Sequence, residues 1–164
     1  MTLPGKAIHV GTPIKFLRID DRLVHGQVIV GWVPHLGTQA IFVASERVAA
    51  DAMRQEMMRL SVPAEVEIEF HPPAVLGGRT DLPPDSLVLV ASPKDAWACL
   101  QAGLAPEVIN VGGLHARPGK TELREALHVD DEDRRHFDLI IQAGHRPVFQ
   151  PTPQNEAVAL EDIL

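Results

Sequence analysis

Apolar residues come in short runs separated by charged, proline or glycine breaks, and their spacing alternates between strand and helix periods. Ile14-Lys15-Phe16-Leu17-Arg18-Ile19 alternates apolar and basic residues, with β-branched and aromatic members that predict a first strand. Asp20-Asp21 ends that pattern, and Val28, Ile29, Trp32 and Val33 then recur at helical offsets. Residues 39–44 form a compact apolar run suited to a buried parallel strand. A helix over 46–60, rich in Ala, Met, Arg and Glu, follows with Ser45 as its N-cap. Residues 65–70 alternate acidic and apolar positions, predicting a strand with one solvated face.

Prolines and glycines between 71 and 85 disfavour a long helix there and leave room for a short one at 74–76. Residues 86–91 read as a central strand. Pro93 then opens a helix to about 102, and Gly103 stops it. A strand over 107–111 leads into Gly112-Gly113, a pair that permits positive φ and close backbone approach to a ligand. A short strand is expected within 121–129, and a helix over 131–143 with acidic residues at its start and Gly144 at its end. A last strand at 146–150 and a short helix at 155–164 complete the chain. The alternation predicts an α/β fold: one domain with an open, mostly parallel β-sheet flanked by helices on both faces. It spans 14–164, behind a mobile extension at 1–13.

Length agrees with this: 164 residues can bury one substantial core. With 45% hydrophobic residues and a mean hydropathy of +0.01, the chain is neither disordered nor membrane-like, and no apolar run approaches the roughly 20 residues needed to span a bilayer. The N-terminus has no continuous apolar segment before a cleavage site, so the cytoplasm is the expected compartment. The formal charge of −7 with scattered cations argues against nucleic-acid binding, and any phosphate site must be locally positive. Cys99 is the only cysteine; internal disulfides and Cys-based zinc motifs are therefore excluded, and a buried helix position is expected for it.

Candidate chemistry concentrates in Asp20-Asp21-Arg22-Leu23-Val24-His25-Gly26-Gln27, where the first strand, a loop and a helix meet. Ligands of open α/β sheets bind outside the carboxyl ends of strands, near helix starts that favour anions. A partly neutral imidazole there can act as a nucleophile, and Arg22 can fork its donors onto phosphate oxygens. Asp20 or Asp21 could hold the ring by its other nitrogen. A solvated turn with a local ion pair, and a histidine that only caps or packs, are the plain alternatives. Gly112-Gly113 either forms a flexible turn or lines the same crevice. The other histidines, His9, His35, His71, His115, His128, His136 and His145, show no metal-ligand spacing, although His115 follows the glycine pair. Gly119-Lys120-Thr121 ends like a nucleotide-binding loop, but Leu114 stands where its first glycine is needed and Pro118 obstructs it, which excludes nucleotide hydrolysis.

Residues 18–28, Arg-Ile-Asp-Asp-Arg-Leu-Val-His-Gly-Gln-Val, resemble the active-site segment of the IIB subunits of the mannose/fructose/sorbose family of bacterial sugar phosphotransferase systems. The resemblance continues through Trp32, Ala49-Ala50-Asp51, Ser92-Pro93-Lys94-Asp95-Ala96, Ile109-Asn110-Val111-Gly112-Gly113-Leu114 and Gly119-Lys120. It implies that His25 accepts a phosphoryl group from the phosphohistidine of a IIA partner and passes it to a sugar held by IIC and IID membrane subunits. Arg22 would bind the group, with Asp20, Asp21, Gly26, Gln27, Gly112 and Gly113 orienting or lining the site, and no cofactor or metal taking part. The protein would reach the membrane only through those partners. Ala44-Ser45 stands where the family commonly carries Asn-Asp, which unsettles a secondary loop contact. A regulatory phosphohistidine module is the alternative output, and self-association is left open.

Overall fold

A computed structural model describes residues 11–164; the first ten residues of the extension expected at 1–13, with His9, lie outside them. Strand β1 (Thr12–Asp20) begins two residues ahead of the expected domain boundary. The other strands of the main sheet are β2 (Ala40–Ala44), β3 (Glu67–His71), β4 (Leu87–Val90), β5 (Leu104–Gly113), β8 (Val148–Phe149) and β9 (Val158–Ala159), in the order β3-β2-β4-β1-β5-β8-β9. Every pairing is parallel except β8 with β9.

Successive residues of the inner strands bury on opposite faces, as the pleat requires. Leu17, Ile19, Phe42, Val88 and Val90 meet Leu76, Ala96, Cys99, Phe137 and Ile140 on one side. Phe16, Ile41, Val43, Leu87 and Leu89 meet Val28, Trp32, Val33 and Val48 on the other. Each such fully buried Leu or Ile side chain stabilises the fold by about 2 kcal/mol. Helices therefore cover both faces: α4 (Pro73–Gly77), α5 (Pro93–Ala102) and α6 (Asp131–Gln142) on the first. A π-helical turn (Gln27–Trp32), α1 (Val33–Leu36), α2 (Glu46–Ala49) and α3 (Ala52–Ser61) lie toward the second.

Four elements differ from expectation, each for a local reason. The helix expected over 46–60 breaks because the Asp51 side chain accepts from the Arg54 amide and starts α3 anew. The segment 121–129 folds back on itself as a hairpin, β6 (Thr121–Arg124) with β7 (Leu127–Val129), turning where Ala126 takes φ 63°. The expected final helix is β9 followed by a single 3-10 turn (Leu160–Asp162). The helix after Gly26 opens in π geometry, the Val33 amide reaching back to the Val28 carbonyl, and such turns often mark functional sites.

This topology positions the site. The chain leaves β1 toward β2 and leaves β5 toward β8, in opposite directions across the sheet, although β1 and β5 are neighbours. A crevice opens between their carboxyl ends, where Asp20 pairs with Gly113.

Candidate active site

Asp20, the last residue of β1, is fully buried, and each of its oxygens has partners. Oδ2 accepts from Arg18 Nη2 at 2.9 Å, Arg22 Nη2 at 3.1 Å and His25 Nε2 at 3.1 Å, while Oδ1 accepts from the Arg22 amide at 3.0 Å and Arg22 Nε at 3.2 Å. Burial alone would raise the Asp20 carboxyl. Hydrogen bonds from His25 and Arg22, the charge of Arg18 and the Arg22 amide outweigh it and hold the group well below the usual carboxylate range. An ionised carboxylate only accepts, so His25 Nε2 carries a proton, and in the neutral ring it is Nδ1 that keeps the lone pair.

The loop is held tightly enough to keep that ring in place. Leu23, 2% exposed, plugs the apolar face beneath it and takes φ 57°, a left-handed conformation that costs a branched side chain roughly 1–2 kcal/mol. Its amide donates to the Asp20 carbonyl. His25 itself keeps 15% of its side chain exposed, so part of the ring is open to solvent.

Arg18 is the residue that sequence reading missed. Its guanidinium is completely buried, donating to Asn110 Oδ1 at 2.6 Å, Asp20, the Pro151 carbonyl at 3.0 Å and the Gln150 carbonyl at 3.3 Å, and it stacks on Trp32 at 5.5 Å. Burial lowers its pKa and the Asp20 charge opposes that. Strand parity was the available signal: Phe16, Arg18 and Asp20 are two apart and share one face.

The sequence-predicted residues divide clearly. Arg22, Asp20 and His25 come together, and Gln27 joins them by accepting from Arg22 Nη2 at 3.0 Å. Asp21 turns away from His25 to His115, accepting from its ring Nδ1 at 2.6 Å and its amide at 2.8 Å. Gly112 and Gly113 lie inside β5 without positive φ, which removes the flexible-turn alternative. A Cβ on Gly112 would fall 2.0 Å from the Arg18 guanidinium carbon, so this glycine makes room for Arg18. A Cβ on Gly26 would meet nothing within 4 Å.

Asp20, Asp21 and His115 could offer ligand atoms within 4.8 Å of one another. Two arginines and a histidine already hold the Asp20 oxygens, so a metal ion there would have to displace cations. Ser45 and Ser92 cap α2 and α5. Lys120 pairs with Asp133 at 2.7 Å, and Thr121 opens a strand, so the segment that ended like a nucleotide-binding loop leads into no helix. Beside the active loop, a cavity of about 200 Å³ is lined by Asp21, Leu23, Ser45, Ser92, Lys120 and three arginines: Arg47, Arg54 and Arg117. None of the three forms a salt bridge among the described residues. No described helix is long and apolar enough to cross a membrane.

The family of the PTS system sorbose subfamily IIB component matches residues 14–164. The N-acetylgalactosamine-specific phosphotransferase enzyme IIB component 2 of Escherichia coli K12 is 30% identical over 150 residues, covering 90% of this chain and 96% of that protein. The PTS system mannose-specific EIIAB component of the same organism is 31% identical over 141 residues, covering 80% of this chain and 42% of the longer relative. The crystal structure of the IIBSor domain of the sorbose permease from Klebsiella pneumoniae superposes with a TM-score of 0.83 at 25% identity, covering 92% and 94% of the two chains. The matched residues run from β1 through the His25 loop to the last residue, and the chain belongs to the sorbose subfamily of IIB components of the phosphotransferase system, the mannose/fructose/sorbose type.

Proposed function

We propose that His25 is the phosphoryl carrier of this IIB component, that its Nδ1 is the nucleophile, and that a phosphohistidine of a IIA partner is the donor. The observation that carries the reading is the hydrogen bond of His25 Nε2 to a buried, ionised Asp20, which fixes the tautomer with Nδ1 free. In the transfer, the Nδ1 lone pair forms the new N–P bond while the bond from phosphorus to the donor nitrogen breaks and its electron pair returns to the donor ring. The product ring carries phosphorus on Nδ1 and a proton on Nε2. It gains positive charge, which Asp20 offsets at 3.1 Å. Arg22, 38% exposed at its side chain, offers its outer donors to the phosphoryl oxygens.

A IIA donor fits the relative named EIIAB and the arginines of the neighbouring cavity, whose positive charge suits the acidic groups of a docking protein. The onward acceptor is a sugar bound by IIC and IID membrane subunits, and the protein reaches the membrane through them. The test is to incubate the protein with phosphorylated IIA and compare wild type with His25→Ala by mass spectrometry. Loss of the label in the variant is expected, and unchanged labelling would remove His25 from the mechanism.

A further inference from the structure

A second histidine faces the same crevice with its ring already oriented. His115 lies two residues beyond the end of β5, and Asp21 grips it twice, through the Nδ1–Oδ1 contact at 2.6 Å and through the backbone amide at 2.8 Å. Its side chain remains 41% exposed, so the grip sets direction without closing access. The direction is toward Arg22: a single point above Gly113, where a Cβ would stand, lies 3.1 Å from His115 Cε1 and 3.5 Å from Arg22 Nη2. Only glycine leaves that point empty, and it opens between the imidazole edge and the guanidinium that faces the phosphoryl group. Because Nδ1 is bonded to a carboxylate, the nitrogen left uncommitted is Nε2, which neighbours Cε1 in the ring.

We infer that His115 is a second phosphoryl-binding residue, donating from Nε2 to a phosphoryl oxygen opposite Arg22, and that Asp21 is its positioning residue. The inference rests on His25 being the acceptor. In its doubly protonated form the ring donates Nδ1–H to Asp21 and Nε2–H to the oxygen, and no bond to phosphorus or transfer of a proton is involved. With Arg22 on one side and His115 on the other, the three equatorial oxygens of the transferring group meet cations across Gly113. Asp21 and Asp20 thereby have separate duties: Asp20 fixes the nucleophile and Asp21 fixes a donor.

The test measures the single-turnover rate of phosphoryl transfer from phosphorylated IIA to wild type, His115→Phe, His115→Gln, Asp21→Asn and the Asp21→Asn/His115→Phe double variant, with thermal unfolding of each. His115→Phe, which keeps the ring volume and removes the donor, is expected to slow transfer about 10-fold or more with the unfolding midpoint preserved. His115→Gln, which retains an N–H donor, should recover part of the rate, and the double variant should be no slower than His115→Phe alone. Rates within twofold of wild type for His115→Phe overturn the inference. So does equal slowing in His115→Phe and His115→Gln accompanied by a fallen midpoint, which makes the residue structural. Phosphate found on His115 itself also overturns it. A His25→Ala control in the same assay separates the two readings, since label surviving there contradicts the acceptor rather than His115.

Discussion

Two clusters of this molecule use the same cast of side chains to opposite effect. At the carboxyl end of β1, Asp20 gathers Arg18, Arg22 and His25; at the far edge of the sheet, Glu69 gathers His71 and Arg79, with Asp81 beyond. Each has a histidine Nε2 at 3.1 Å from a carboxylate. Glu69, however, is 44% exposed and Asp81 68%, while Asp20 is wholly buried. His71 Nε2 is also 3.2 Å from Arg79 Nη1, an obligate donor, so its carboxylate contact does not fix the tautomer. His25 meets a carboxylate alone. A carboxylate, an arginine and a histidine become a candidate site when burial removes competing water and leaves one nitrogen uncommitted.

The largest expected separation between the clusters is in stability. Asp20→Ala leaves the Arg18 guanidinium buried without its counter-charge and should cost about 3–5 kcal/mol in urea unfolding, as removal of one partner of a buried pair does. Glu69→Gln removes an exposed pair and should cost roughly 0–1 kcal/mol. Equal losses would erase the contrast.

A steric version sharpens it within the site. Gly112→Ala drives a methyl group into the buried Arg18 guanidinium and should destabilise by about 1–3 kcal/mol. Gly26→Ala, in open space with helical φ, should be neutral or slightly stabilising. Thermal unfolding of the two variants is the check.

Acid provides the third contrast. The Asp20 carboxyl is depressed in the folded state, so its contribution is present above the unfolded value of about 4 and is lost as pH falls below it toward the folded value. Between pH 5 and 3, wild type should lose more stability than Asp20→Asn, at low and high salt alike. The smaller share due to Glu69, whose carboxyl is also depressed but which is half exposed, should shrink in salt. A Glu69→Gln effect as large as that of Asp20→Asn and equally indifferent to salt would contradict the assignment.

The smallest expected effect concerns Cys99, whose thiol burial pushes up to about 12, with Asp95 adding to the shift. It should stay unmodified by a thiol reagent in the folded protein and react on unfolding.

Asp20, Arg22 and His25 could be read from the chain because they lie within six residues, where a strand end and a following helix are visible in the pattern. Arg18 was legible only in part: strand parity puts it on the face of Asp20, but not its complete burial. Its partners Asn110, Gln150 and Pro151 lie 92 to 133 residues away and meet it only in the folded sheet. The Asp21–His115 pair spans 94 residues for the same reason. The sheet was legible because its inner strands are near-continuous apolar runs. The hairpin at 121–129 and the ending at β9 were not, since each depends on a turn or an edge pairing rather than on periodicity.

The most direct test of the central claim is heteronuclear NMR on protein labelled with nitrogen-15 at histidine after phosphorylation by IIA. A phosphorus coupling to Nδ1 of His25, with Nε2 still protonated, is predicted. Coupling to Nε2, or to any other histidine, would contradict a nucleophile set by Asp20.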